Sequence, residues 1–352
     1  MITRSADRDA LLLWFGSRAG LLVATLLGAS LSDYLAKWRA WDAGLFVVIA
    51  EHGYDGEPGR PPDAGLPAFF PGMPLALRLV HLVVPDWALA GLLVSLVAGA
   101  VATVCLARLA EFEGGAGWVA VLGLLVFPTA VFLMAGYSEA LFLAFAVPAW
   151  LAARRRHWWL AAVLGAGASC VRITGLFLAV ALIVEYVLAK GGLRQAAWLA
   201  VPFVPLAAYS FYHYRRTGDW LAWKSAQEAG WGRETVWPWE SFATTWEAAM
   251  GEGDFAVAFR MEIAGAVVAV LALVWLLAMR RWSEFVYCGS QAVALMTSAY
   301  YLSVPRSLLL WFPLWTALAR LRWKWVAVLY ALVAAPSMVV NTVRFLSGAW
   351  AG

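Results

Sequence analysis

Apolar stretches long enough to cross a bilayer recur along this chain from Leu11 to Leu346, and no other feature limits its folding so strongly. A helix needs about 20 apolar residues to cross the hydrocarbon core, where every backbone polar group must be satisfied internally. With 63% hydrophobic and 14% charged residues, the chain lies outside the range of water-soluble domains. An all-α polytopic membrane protein is therefore predicted. Spans are expected near 11–31, 87–108, 117–135, 138–153, 157–172, 173–189, 196–213, 258–279, 284–302, 305–319 and 324–346. The first is longer than a signal-peptide core and contains Arg18, which marks it as retained. Only 32–86 and 214–258 are long and polar, so residues 1–352 read as one transmembrane domain with two large loops. Cys105, Cys170 and Cys288 all lie in apolar segments and read as small buried hydrophobes, not as a disulfide framework or metal cluster.

Charge sets the expected orientation. The N-terminus, 107–116 and the short connections 154–157, 189–195, 280–284 and 319–324 together hold thirteen Lys/Arg and five acids. The stretches 32–86 and 214–258 hold eight Lys/Arg and fourteen acids. The positive-inside rule puts the first set in the cytoplasm and both long loops outside. Arg215 and Arg216 run against that rule. Parity adds a constraint: a span at 68–84 would reverse every later loop and export the arginine triplet at 154–156. "LPAFFPGMPLALRLVHLVV" should therefore lie in the interface without crossing. Leu75, Leu79, Leu82 and Val83 would form one stripe, with Arg78 and His81 on another side. Pro71 and Pro74 suit the start of such a helix.

The same loop opens with "KWRAWDAGLFVVIAEHGYDGEP", residues 37–58. Trp38, Trp41, Leu45, Val48 and Ile49 recur at three- and four-residue spacing, which predicts one interfacial helix over 37–52 with its tryptophans at headgroup depth. Asp42 falls at the edge of this stripe. From pattern alone it reads as a solvated residue on the polar face as readily as a reactive one.

Four segments occur in order: "WDAGLFVVIAEHGY", "PAFFPGMPLALR", "AGYSEALFLAF" and "VRITGLF". Together they resemble the GPI mannosyltransferase 2 (PIG-V type) family, closely over residues 38–178 and in layout alone beyond. The resemblance implies a GT-C type bundle, here of about eleven transmembrane helices, with interfacial helices in the first external loop. It further implies a membrane enzyme that transfers mannose from polyprenyl-phosphate mannose on the outer or lumenal side. An acidic residue in the first external loop is then expected, and Asp42 matches it as general base. Arg172, of the V-R-x-x-G-L motif, is expected at the donor phosphate, where the guanidinium's planar fork suits the chemistry. Arg306, in "YYLSVPRSLLL", is expected to join it. Glu51, His52, Tyr54, Tyr137 and Glu139 stand in matched motifs and are candidates for sugar or acceptor binding.

Glu51 and His52 could approach a metal together, but no second ligand cluster accompanies them, so neither metal nor cofactor is expected. There is no P-loop or dinucleotide fingerprint, and no nucleic-acid partner is expected. The expected partners are the lipid-phosphate donor, a glycolipid or lipid-linked glycan acceptor, and membrane lipids. Four lysines against twenty-two arginines, with five isoleucines and one asparagine, match a GC-rich genome and favour a bacterial plasma membrane. Two other functions compete with this one: the same fold using another polyprenyl-phosphate sugar, and a transporter or flippase of lipid-linked glycans. A transporter should show charges near the bilayer midplane and internal symmetry.

Overall fold

The computed structural model describes residues 4–26, 31–61, 63–322 and 324–352. Among them the regular structure is helical, with one isolated antiparallel bridge between Thr235 and Ser298 and no strand. The chain runs through α1 (Arg4–Leu26), α2 (Leu31–Lys37), α3 (Asp42–His52), α4 (Gly72–His81), α5 (Trp87–Phe112) and α6 (Gly117–Leu125). It continues through α7 (Ser138–Arg154), α8 (Trp158–Val171), α9 (Thr174–Leu188), α10 (Leu193–Ala196), α11 (Val204–Thr217) and α12 (Ala222–Trp231). The last third forms α13 (Pro238–Met250), α14 (Asp254–Ala278), α15 (Trp282–Met296), α16 (Val304–Leu308), α17 (Phe312–Ala319) and α18 (Lys324–Leu346).

This is a multi-pass membrane protein. Among the described residues four helices, Ser5–Leu26, Trp87–Phe112, Phe255–Ala278 and Trp325–Leu346, are long and apolar enough to cross a bilayer. The other predicted spans coincide with shorter helices, several of them interrupted. α6 has 9 residues before the chain breaks into a 3-10 turn at Ala130–Leu133. The 305–319 segment divides into α16 and α17. Part of the predicted first span, 27–30, lies outside the described residues.

The centre is made by α5, α7 and α8, which pack closely because their facing residues are small. Ala90, Ala98, Ala102, Ala140, Ala146, Ala149, Ala161 and Ala168 are all buried there. α7 ties the two ends of the bundle together: Glu139 stands in its first turn and Arg154 in its last, 17 residues of helix or about 25 Å. Around Arg154 the basic connections converge. Glu113 accepts Arg281 at 2.8 Å and lies 3.4 Å from Arg320 and 3.9 Å from Arg154. Glu185 pairs with Arg154 at 3.2 Å and accepts the Ser283 hydroxyl at 2.6 Å. Asp7 of α1 joins Arg108 of α5 at 2.6 Å. The loops grouped by their charge thus share one end.

The first loop corrects one expectation. Residues 37–52 are not a single helix: α2 ends at Lys37, the chain turns through 38–41, and Trp41 takes φ 57. A continuous helix would hold Trp38 and Trp41 on one stripe. Instead Trp38 is buried against Tyr34 and Phe345, while Trp41 is half exposed and packs edge-on to Trp350. The turn sets Asp42 as the first residue of α3, where a carboxylate is favoured by the helix dipole.

α4 has 10 residues, about 15 Å of helix, half of what a crossing requires. Met73 and Leu77 are buried against neighbouring helices, while Leu75, Leu79, Leu82 and Val83 form an exposed apolar row. On its other side Arg78 Nε donates to the carbonyl of Ala50 in α3. His81 stacks on Trp87 at 3.5 Å, anchoring the start of α5.

Candidate functional site

Four helix ends and one helix break bring charged groups together at the end of the bundle remote from Arg154. α8 stops at Val171, and Arg172 adopts an extended conformation (φ −152, ψ 152) before α9 starts at Thr174. The crossing of α8 and α9 requires a glycine: a Cβ on Gly175 would stand 2.3 Å from Ser169 Cα. Gly72 plays the same part on the other side, since a Cβ there would meet Val171 Cα at 2.8 Å. Two sequence motifs are thereby locked against each other, and Arg172 is aimed between them.

Arg172 Nη1 donates to Glu139 Oε1 at 2.7 Å and to Ser138 Oγ at 2.7 Å. Arg306, from α16, donates through Nε to the same Glu139 oxygen at 2.5 Å and through Nη1 to Asp42 Oδ2 at 2.6 Å. Its guanidinium lies 4.6 Å from the ring of Tyr137 and 4.8 Å from that of Phe132, a cation–π setting. Glu262 fixes the backbone that delivers Arg306. Its two oxygens accept the N–H groups of Ser303 (2.8 Å) and Val304 (2.7 Å), and Ser303 sits at φ 64. Asp42 Oδ1 and Arg306 Nη2 have no hydrogen-bond partner among the described residues.

These groups face a cavity of about 150 Å³. One wall is aromatic, with Phe46, Phe69, Phe70 and Phe177. The second long loop and α15 add Gln227, Trp231, Arg233 and Gln291 to the lining. Arg233 Nη2 donates to the carbonyl of Leu302 at 3.0 Å, whereas its Nε is buried without a partner. Burial pushes the Arg233 pKa below the usual arginine value, with Glu262 acting in the opposite direction.

Of the residues expected from sequence, Asp42, Arg172 and Arg306 line this cavity. Tyr137 and Glu139 do not. Both are buried behind the arginines, the tyrosine hydroxyl donating to the carbonyl of Ala40 at 3.1 Å. Expected at the sugar or acceptor, they stand off the cavity wall, with Glu139 occupied by two guanidiniums. Glu51, His52 and Tyr54 are also off the cavity wall. Glu51 and His52 face each other at 3.8 Å on the protein surface. Tyr54 donates to the carbonyl of Phe69 at 2.8 Å and packs on Tyr209 and His213, and burial pushes its hydroxyl pKa up. It joins the first loop to α11.

Sequence reasoning passed over Arg233 and Gln291, which stand in no recognisable motif. Glu262 is a charge inside the predicted span 258–279, and that is the signal that could have identified it.

Comparison with known proteins adds a separate line. A family model described as Mannosyltransferase (PIG-V) matches residues 17–190. Among curated proteins, the chain is 38% identical over 150 residues to the mouse (Mus musculus) GPI alpha-1,6-mannosyltransferase 2, a match covering 39% of this chain and 29% of the mouse protein. No solved structure matches. The matched segment contains Asp42, Glu139 and Arg172 but not Arg233, Glu262 or Arg306.

Proposed function

We propose, from the match of residues 17–190 to the mannosyltransferase (PIG-V) family model, that the chain is a member of that family and transfers mannose from polyprenyl-phosphate mannose to a hydroxyl of an extracytoplasmic acceptor. A glycolipid or lipid-linked glycan is the favoured acceptor. The reading includes about eleven spans in a plasma membrane, a cytoplasmic N-terminus and cytoplasmic basic loops, and no requirement for a cofactor. The single observation that carries it is the meeting of the Asp42 carboxylate with the Arg172 and Arg306 guanidiniums at one cavity. The exposed apolar row of α4, interfacial in this reading, adjoins the helices that build the site.

The chemistry follows from these groups. An acceptor hydroxyl attacks the anomeric carbon from the face opposite the phosphate, and Asp42 Oδ1, the oxygen not held by Arg306, takes its proton. The new C–O bond forms as the bond to the phosphate oxygen breaks, and the polyprenyl phosphate departs with one more negative charge. Arg172 and the remaining Nη2 of Arg306 stabilise that charge as it grows. A β-linked donor would give an α-mannoside by inversion.

Purified protein in lipid nanodiscs, incubated with polyprenyl-phosphate mannose and a membrane lipid extract, should yield a product heavier by one hexose in the mass spectrum. Absence of that product, with GDP-mannose supporting transfer instead, would sink the donor assignment.

A further inference from the structure

Resting on the proposed donor class, we propose that Arg233 is a third donor-phosphate ligand, brought to the cavity by the second long loop, and that it adapts the site to a singly charged phosphodiester. The argument starts from charge. Three arginines line the cavity: Arg172, Arg233 and Arg306. Two carboxylates answer them, Glu139 and Asp42, and both are committed to Arg172 and Arg306. Among the described residues Arg233 hydrogen-bonds only to a neutral carbonyl, that of Leu302. The carboxylate of Glu262 is turned to the backbone N–H groups of Ser303 and Val304, not to a guanidinium. Glu262 reaches Arg233 through its charge but not through a hydrogen bond. No carboxylate among the described residues is thus bonded to Arg233, and a polyprenyl-phosphate sugar would bring one negative charge to it.

The position of Arg233 is built, not incidental. Trp231 packs edge-on to Phe69 of the first loop at 5.5 Å, and its carbonyl accepts the Tyr300 hydroxyl at 2.7 Å. Val236 N–H donates to Thr297 at 2.8 Å, and Thr235 forms a bridge with Ser298. The segment between Trp231 and Val236 is thus pinned to two parts of the bundle, with Arg233 at its centre. Its Nε is buried and unpartnered, a costly state for a cationic donor unless a ligand completes it. A second group points the same way: Gln291 is buried in the cavity wall with Oε1 unpartnered, an acceptor available to a sugar hydroxyl.

The test is equilibrium binding of radiolabelled polyprenyl-phosphate mannose to the full chain in nanodiscs, with phosphate-free polyprenyl mannose as control. Arg233→Gln should weaken the Kd by about 10- to 100-fold, the worth of one charge-assisted hydrogen bond. Arg233→Lys should recover part of that loss, because it keeps the charge without the fork. A Gln variant that unfolds at the wild-type temperature and binds within about twofold of wild type would overturn the proposal. Should the Gln variant fail to fold, the Lys variant decides: weakening of at least about threefold supports the assignment, and unchanged affinity rejects it. Wild-type protein that binds the phosphate-free lipid equally well would defeat the donor reading itself. Tight wild-type binding left untouched by the variants defeats only the role of Arg233.

Discussion

Removing the charge of Glu139 should destabilise the site more than removing any other single group around the cavity. The carboxylate is fully buried, and one oxygen receives both Arg172 Nη1 and Arg306 Nε while the other has no partner. At an effective dielectric near 20, unit charges about 4 Å apart interact by about 4 kcal/mol, part of which offsets desolvation. Breaking a buried pair by deleting one partner typically costs about 3–5 kcal/mol. Glu139→Gln keeps an acceptor oxygen but loses the charge between two cations, so about 2–4 kcal/mol is expected. A double-mutant cycle separates this from other effects. Unfolding free energies of Glu139→Gln, Arg172→Gln and the double variant, measured by denaturant titration in detergent, should give a coupling energy of about 2 kcal/mol. Additivity within about 0.5 kcal/mol would refute the shared-carboxylate account. So would a Glu139→Gln protein of wild-type stability whose only defect is a raised KM for acceptor, because that pattern belongs to a sugar-binding residue.

Asp42→Asn keeps shape and the acceptor for Arg306 but cannot take a proton. Single-turnover transfer at saturating donor and acceptor should fall by about 10²-fold or more with donor affinity kept, and near wild-type transfer would exclude Asp42 as base. Asp42→Glu moves the carboxylate by one methylene, and a similar loss is expected since a displacement of about 1 Å can cost on the order of 10²-fold. Glu262→Gln leaves the N–H groups of Ser303 and Val304 without an anionic acceptor and sets a non-accepting amide NH2 against one of them. Arg306 should then be less well placed, lowering kcat by about 10-fold or more with the protein still folded; unchanged kcat would show that α16 holds itself. In a background without Cys105, Cys170 and Cys288, cysteine at position 56 should react with an impermeant thiol reagent in intact cells and cysteine at position 157 should not. Equal labelling, or labelling only at 157, would reject the proposed orientation.

The site was legible where its chemistry is carried by local motifs. Asp42, Glu139 and Arg172 each stand in a short segment that can be recognised without the fold. The spacing of Leu75, Leu79, Leu82 and Val83 likewise gave the exposed row of α4, because a short helix with one free face keeps its periodicity. The same reasoning failed at 37–52. There the periodicity treated Trp38 and Trp41 as equivalent, whereas Trp38 is drawn inward by Phe345, more than three hundred residues away, and Trp41 is not. Long-range burial overrode the local pattern. That Glu139 and Tyr137 are buried off the cavity wall was not legible for a related reason: a motif identifies residues near a cavity without saying which of them line it. Arg233 left no mark, since an arginine in a loop with six tryptophans and mixed charges looks like ordinary surface.

The distribution of charge along the central helices bears on the choice between an enzyme and a carrier. Between Glu139 and Arg154, α7 has no charged side chain, and α8 has none between His157 and Arg172. α5 is equally free of charge from Ala88 to Ala107. The buried middle of these three helices is largely alanine, with the hydroxyls of Ser95, Thr103 and Ser169 but no charged group, so no counter-charge is offered to a headgroup passing from one end to the other. The ionic groups at the ends of these helices form two separate clusters, one around Glu139 and one around Glu113, about 25 Å apart along α7. Arg18 of α1 is buried apart from both, against Trp14. A transporter needs polar groups near the midplane, at the interface of moving halves. An enzyme acting on a lipid-linked donor needs them only at the depth where the phosphate lies. The cluster of Asp42, Glu139, Arg172 and Arg306 sits at one end of the bundle, beside the exposed apolar face of α4, and that placement favours transfer at one surface over passage between two.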